Sequence, residues 1–138
     1  MEISRTGLDI EWRRLEVIAH NIANANSAIT ASGGSYRPER LISGPAASFG
    51  EVMAEGGQGA PRGVRVYSIE PQNLPPRRLY EPGNPLADPQ GYVTYPGFDH
   101  AAEMALMVQT GRSYEANVVA LNAARQMYGN ALQIGKRA

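Results

Sequence analysis

The residues best suited to chemistry in this chain are its two histidines, and their surroundings offer little. His20 and His100 are far apart in the sequence, and neither has a second strong ligand at metal-binding spacing. His100 and Glu103 form an i, i+3 pair of the kind found in some metal sites, but a helix start facing solvent explains this pair more simply. The absence of cysteine excludes disulfides, thiol catalysis and cysteine-based metal sites. We therefore expect no metal and no cofactor.

Nucleophile and phosphate-binding patterns are equally weak. Ser113 lies in a helical pattern rather than in a G-x-S-x-G turn, so its hydroxyl is better placed to bond a backbone carbonyl. The glycines at 56–59 lack the preceding strand and following helix of a phosphate loop. Glu81 and Asp88 flank a predicted turn, where capping is their default role. We expect no catalytic site and no small-molecule substrate.

Charge and hydropathy exclude two further classes. The chain has 13 Lys+Arg and 13 Asp+Glu, and its arginines are scattered, so no basic surface for nucleic acid is expected. No apolar run approaches the roughly 20 residues of a membrane span, so we expect a protein that is not membrane-embedded. Charged residues interrupt 1–26, and a cleavable signal peptide is therefore not expected.

The N-terminal segment, 1–26, reads as an amphipathic helix that ends near Asn24 and Asn26. Its apolar positions alternate in steps of four and three, as in a coiled coil. These positions are Leu8, Trp12, Leu15, Ala19, Ile22 and Asn26.

The C-terminal segment predicts a longer helix, from about 99 to 134, with Asp99 as its cap and Gly135 near its end. The four-three spacing continues here, slips at Arg125, where Ala124 can substitute, and then resumes. The positions of this predicted seam are Met107, Gly111, Tyr114, Val118, Leu121, Tyr128 and Leu132.

A second face of the C-terminal helix is also apolar and rich in alanine. One short N-terminal helix can cover one stripe of it but not both. Either the middle of the chain folds over the second face or neighbouring copies cover it, and we favour neighbouring copies. The second face consists of Ala105, Ala116, Val119, Ala120, Ala123, Met127 and Ala131.

Four asparagines, Asn21, Asn24, Asn117 and Asn122, interrupt helices that otherwise favour Ala and Leu. They either face solvent or pair across helices and set the register, since buried amides are costly unless hydrogen-bonded. We slightly favour the second interpretation.

The middle, 27–98, holds all ten prolines and predicts a small β-rich insertion. Three runs favour strands: 36–42, 64–69 and 92–95. The Gly-, Ala- and Pro-rich stretch 43–62 predicts a mobile loop. The expected fold is mainly α, with paired antiparallel terminal helices, 1–26 and 99–138, and a β-hairpin and loop excursion between them.

Two stretches carry a family resemblance. Residues 21–27 resemble the N-I-A-N-A-x-[ST] signature of flagellar rod, hook and hook-associated proteins, and Tyr36-Arg37 resembles the aromatic-basic pair that follows it. The second stretch is 80–88, which is similar to the proximal rod members of this family. The same similarity continues at 91–93, Glu103-Met104 and 112–117. Its turn consists of Glu81, Pro82, Gly83, Asn84 and Pro85. Gly111 departs from a common alanine and suggests close packing or a local bend.

The resemblance implies a structural subunit of the bacterial flagellar basal body. Its terminal helices would form a coiled-coil-like axial domain in the core of a helical tube that crosses the periplasm and transmits torque from motor to hook. Its partners would be itself, other rod proteins and the flagellar type III export apparatus. The predicted interface residues are Leu8, Trp12, Leu15, Asn21, Ile22, Asn24, Met107, Gly111, Tyr114, Asn117, Val118, Leu121, Tyr128 and Leu132.

Two other functions remain as alternatives. One is a soluble helical-hairpin adaptor that binds a partner helix through the alanine-rich face. The other is an enzyme with an unrecognised site, which the search for chemistry above does not favour.

Overall fold

The two ends of the chain form its two long helices. In a computed structural model, which describes residues 1–28, 36–54, 56 and 62–137, helix α1 spans Glu2–Ala23 and helix α3 spans His100–Arg137. The predicted cap is confirmed, because Asp99 Oδ1 accepts a hydrogen bond from the backbone N–H of Ala102 at 3.0 Å. The predicted end at 134 is too early. Helix α3 continues through Gly135, at a cost of about 1 kcal/mol relative to alanine.

Helices α1 and α3 pack against each other in antiparallel directions. Gly7 lies against Asn117, the rings of Trp12 and Tyr114 are 6.4 Å apart, and Asn21 reaches Glu103. The early part of one helix therefore faces the later part of the other. These three contacts fix the register of the pair.

The buried stripe of α1 differs from the predicted seam by one position. Ile10, Ile18 and Asn21 are buried, whereas Trp12 is 56% exposed. The physical reason is that α1 packs on two sides, against α3 and against the first β-sheet, so its most buried stripe lies between them. The coiled-coil register expected for α1 is not the register of its packing.

The first sheet pairs β1, Glu39–Pro45, with β2, Val64–Pro71, in antiparallel directions. Leu41 stands opposite Ile69, and a bulge follows Ile42. Side-chain hydrogen bonds tie the sheet to α1 at several places, two of them near its bulge and at the start of β2. Arg14 donates to Ser43 Oγ at 2.7 Å, and Thr6 Oγ1 accepts from the Val64 N–H at 3.2 Å.

A short helix, α2 at Phe49–Ala54, replaces part of the mobile loop expected at 43–62, and β1 occupies its start. Ser48 and Glu51 cap this helix reciprocally. The Ser48 N–H donates to Glu51 Oε2 at 2.7 Å, and Ser48 Oγ accepts from the Glu51 N–H at 3.3 Å. The loop prediction is therefore wrong for 43–45 and 49–54, and 55 and 57–61 lie outside the described residues.

A second antiparallel pair joins β3, Arg77–Tyr80, to β4, Tyr92–Tyr95. The sequence predicted β4 but not β3, because all four residues of β3 are exposed and show no alternation. Within the described residues, no other helix or strand packs against this hairpin.

The chain is thus helix-rich, with two small antiparallel sheets between its terminal helices. Among the described residues, no helix has the length and apolar character that crossing a membrane requires.

Candidate functional site

The most buried polar side chain joins α1 to the β-rich middle. Asn21 has no exposed surface, and its amide makes four hydrogen bonds. Its Nδ2 donates to the Glu39 carbonyl at 2.8 Å and to Glu103 Oε2 at 3.3 Å. Its Oδ1 accepts from the Tyr36 hydroxyl and from the Glu39 N–H, both at 2.8 Å. All four positions of the amide are therefore satisfied.

Glu103 extends this cluster to α3. Its carboxyl group is 4% exposed and lies one turn into the helix. Its Oε1 accepts from Gln72 Nε2 at 3.0 Å, and the same nitrogen lies 3.2 Å from the Glu39 carbonyl. We call Asn21, Tyr36, Glu39, Gln72 and Glu103 the polar cluster. It connects the end of α1, the first residue of β1, the residue that follows β2 and the start of α3.

Burial also acts on the tyrosine of the cluster. Desolvation raises the pKa of Tyr36 above its usual value, and the carboxylates of Glu39 and Glu103 raise it further. The hydroxyl therefore stays protonated and keeps its donor role toward Asn21 across the neutral range. The cluster can hold elements together, but it lacks a nucleophile beside a general base.

Of the four asparagines singled out from sequence, Asn21 is the one that pairs across helices. Asn24 Nδ2 bonds the His20 carbonyl within its own helix, and Asn117 Nδ2 bonds the Ser113 carbonyl in the same way. Asn122 is exposed. Asn117 nevertheless contacts α1, because it lies against Gly7.

The predicted turn residues form a self-bonded loop between β3 and β4. Asn84 Nδ2 donates to Glu81 Oε2 at 2.9 Å, and Asn84 Oδ1 accepts from the Leu86 N–H at 3.0 Å. The Tyr95 hydroxyl donates to Glu81 at 3.0 Å, and this bond is the main reason that the pKa of Tyr95 is raised. Pro82, Gly83 and Pro85 are exposed at the tip. Glu81 thus braces the turn through side chains, and among the described residues its carboxylate accepts no bond from a backbone N–H of the turn, unlike a cap.

Asp88 caps the other side of this loop, as expected. Its Oδ1 accepts from the N–H groups of Gln90 and Tyr92 at 3.0 and 2.9 Å, and its Oδ2 accepts from Arg78. The bond from the Tyr92 N–H, followed by the bond and charge of Arg78, holds the pKa of Asp88 below its usual value. Gly91 completes the turn with a φ of 84°, which favours glycine.

The predicted seam of α3 falls into two parts. The first part, Met107 to Leu121, is half-buried beside α1. Tyr128 and Leu132 continue the spacing but are 60% and 52% exposed. On α1, Leu8, Leu15 and Ile22 are half-buried, so the helix pair brings together the first part of the seam alone.

The described part of the middle, 27–28, 36–54, 56 and 62–98, does not cover the second face of α3. All seven of its residues are exposed, including Val119 at 67% and Met127 at 66%. Gly111 is also not explained by packing within the chain, because a Cβ placed there would meet nothing within 4 Å. Both observations leave apolar or small residues without a partner in the monomer.

Sequence reasoning missed Glu103 as a partner of Asn21 and Gln72 as a partner of Glu103. Three members of the polar cluster, Asn21, Tyr36 and Glu103, stand in the motifs that carried the resemblance, and this was the available signal. No comparable signal marked Gln72. In the described part of the chain, no three His, Asp or Glu residues are grouped to hold a metal ion.

Comparison with known proteins connects this arrangement to one family. Residues 90–134 match the family described as "Flagellar basal body rod FlgEFG protein C-terminal". The chain is 37% identical to the flagellar basal-body rod protein FlgC of Salmonella typhimurium, over 98% of this chain and 95% of the relative.

Two more distant organisms supply similar relatives. The FlgC proteins of Borreliella burgdorferi and Bacillus subtilis are 34% and 32% identical to this chain. The matches cover 97% and 99% of the chain, and 94% and 96% of the relatives. The similarity therefore spans both helices and the β-rich middle. On these matches, the chain belongs to the FlgC family of flagellar basal-body rod proteins.

Proposed function

We propose that this chain is a structural subunit of the proximal rod that polymerises through its terminal helices and transmits torque from motor to hook. It works as a packed element rather than as an enzyme. Its partners are further copies of itself and other rod proteins.

The observation that carries this proposal is the uncovered end of α3. The seam spacing continues to the exposed Tyr128 and Leu132, whereas the start of α1 lies opposite about residue 123 of α3. A helix of 38 residues is about 57 Å long, whereas α1 with 22 residues is about 33 Å long. The helices of neighbouring subunits can cover the remainder.

The alanine-rich second face supports the same proposal. Exposed apolar surface on one side of a long helix indicates an interaction site, and small side chains allow a second helix to approach closely. This face runs along α3 opposite the side that contacts α1. A subunit with both surfaces can pack against more than one neighbour, as a tubular assembly requires.

The chain then divides into two parts. Residues 1–26 and 99–138 form the axial part at the core of the tube, and 27–98 form an insertion on it. The polar cluster fixes the insertion to the axial part, since it bonds α1 to Glu39 at the start of β1 and α3 to Gln72 just after β2. Torque applied to one part would reach the other through these bonds.

The location follows from this role. The rod crosses the periplasm, so the chain must leave the cytoplasm. Passage through the flagellar type III export apparatus would accomplish this step.

Charged substitutions at the end of α3 test the proposal. Leu132→Asp places a charge on the exposed seam, and Gln133→Asp places the same charge one residue away, on a different side of the helix. Both variants should fold. In a deletion strain of the source organism, Leu132→Asp should abolish swimming and Gln133→Asp should restore it.

A cryo-electron-microscopy map of basal bodies from the same strain provides the direct check. The map should contain this chain in the proximal rod, with helix density against Leu132. Normal swimming by the Leu132→Asp strain, or basal bodies that lack the chain, would sink the proposal. A soluble adaptor would leave the chain outside the basal body.

A further inference from the structure

The end of α3 combines apolar anchors with positive charge on one face. Arg125, Tyr128 and Leu132 follow each other in steps of three and four, so they lie on the same side of the helix. All three are exposed. No acidic residue follows Glu115 in the sequence, so nothing on this part of α3 neutralises Arg125. We call these three residues the distal face.

The α1 helix of the same chain begins near Arg125 and does not reach the rest of the distal face. Trp12 faces Tyr114 and Asn21 faces Glu103, and this register places the start of α1 at about residue 123 of α3. Glu16 accordingly lies about 24 Å along the helix from Arg125. A continuous α3 cannot fold back over that distance, so Glu16 can reach Arg125 only from a second molecule.

The outer side of α1 offers a surface of matching chemistry. A shallow trench between α1 and β2 includes Trp12, Glu16, Val17 and Ile69. Trp12 is 56% exposed and Ile69 is 50% exposed, so the trench has a large apolar area. We call these four residues the α1 trench.

The charge at the trench is negative. Asp9 and Arg13, which also line it, form an ion pair at 3.5 Å and neutralise each other. Glu16 is exposed and makes no ion pair among the described residues. An apolar surface edged by an uncompensated carboxylate complements an apolar helix face edged by an arginine.

We propose that the distal face of one copy binds the α1 trench of a second copy. Tyr128 and Leu132 pack against Trp12 and Ile69, and Arg125 pairs with Glu16. The contact joins two different surfaces, so its repetition builds a head-to-tail ring or helical array rather than a two-fold symmetric dimer. The inference rests on the proposed rod function, because it names the contact by which copies of the chain join.

Cysteine cross-linking tests this pairing without background, because the chain has no cysteine of its own. Full-length Glu16→Cys and Arg125→Cys are mixed and oxidised. Gln126→Cys replaces Arg125→Cys in the control, since Gln126 is also exposed but points to another side of α3. The Glu16–Arg125 pair should give several times more cross-linked heterodimer than the control pair. Equal yields would overturn the proposal.

A charge exchange provides a second readout. Glu16→Arg alone and Arg125→Glu alone should each weaken self-association about five-fold. This change corresponds to the upper end of the energies measured for solvent-exposed ion pairs. Combining the two changes should restore association. The fluorescence of Trp12, the only tryptophan, should shift to shorter wavelength on association. Additive losses in the double variant would contradict the pairing.

The same cysteine variants in basal bodies separate this inference from the proposed function. Basal bodies that contain the chain and show the Glu16–Arg125 cross-link support both. Basal bodies that contain the chain but show no such cross-link, or a cross-link from Glu16 to a different rod protein, overturn the inference alone. Absence of the unmodified chain from basal bodies overturns the rod function as well.

Discussion

The two ends of the helix pair differ in what holds them. At one end, Asn21 and Glu103 bury their polar groups in a satisfied cluster that includes Glu39 at the start of β1. At the other end, α3 extends past α1 with Tyr128 and Leu132 exposed. The first end is complete within one chain, and the second is not.

The two ends of α3 therefore serve different purposes, one in the fold of the monomer and the other in assembly. The buried amide and carboxyl are costly unless every partner is in place, so they specify one arrangement of helices and sheet. The exposed side chains at the far end contribute little to the fold of the monomer and remain available for assembly. Substitutions should therefore affect stability at one end and assembly at the other.

The largest expected effect is at Asn21. Asn21→Ala removes four hydrogen bonds and leaves the backbone of Glu39 and the carboxyl of Glu103 without their partner, and should cost about 2–4 kcal/mol of unfolding free energy. Urea unfolding measures the loss. Asn24→Ala is the matched control, because Asn24 bonds within its own helix and turn. Equal losses at the two positions would remove the distinction between the ends.

A smaller loss is expected at Glu103. Glu103→Gln preserves the shape of the side chain but places an NH₂ group where Asn21 and Gln72 both donate, so one donor faces another. The unfolding free energy should fall by about 1–2 kcal/mol. Glu115→Gln, on the exposed side of the same helix, should be near neutral in the same urea assay. A neutral Glu103→Gln would show that the cluster tolerates a mismatched donor.

At Gly111, by contrast, a substitution is expected to stabilise the monomer rather than destabilise it. Gly111→Ala should stabilise the monomer by about 0.5–1 kcal/mol, because alanine has a higher helix propensity than glycine and no described atom outside the local helix backbone lies within 4 Å of the added methyl group. Gly129→Ala, equally unobstructed, should give a similar thermal shift. If a neighbouring subunit packs closely at Gly111, that variant alone should swim poorly. Normal swimming by both would assign Gly111 no role in assembly.

The smallest effect concerns pH and the second hairpin. The pKa of Asp88 is depressed in the folded chain, so its contribution is fully present above its usual value of 3.8 and is lost as pH falls through the folded-state pKa. Nuclear magnetic resonance signals of Tyr80 and Tyr92 should lose dispersion in that acidic range. Asp88→Asn should remove the part of this pH dependence that comes from Asp88. An Asp88 carboxyl that titrates at its usual value would contradict the capping geometry.

Part of the fold follows from local signals in the sequence. The end of α1 near Asn24, the Asp99 cap and the strand at 92–95 were predictable, because caps and short β-branched runs act locally. Helix α2 was also readable from Ser48 and Glu51, whose spacing forms a capping box, but the surrounding glycines and alanines obscured it.

The rest depends on tertiary contacts that a single sequence does not contain. The stripe of α1 was misplaced by one residue because the first sheet covers a side that heptad spacing cannot anticipate. Strand β3 is defined by its pairing with β4 and carries no pattern of its own. The partnership of Asn21 with Glu103 spans 82 positions and requires the folded chain.

Hydrogen exchange on the full-length chain, alone and in isolated basal bodies, tests the central claim most directly. In the dilute monomer, amides of α3 near Glu103 to Leu121 should be protected and those at 125–135 should exchange quickly, because the second stretch has no packing partner. In basal bodies both stretches should be protected. Equal, strong protection of the two stretches in the monomer would contradict the account.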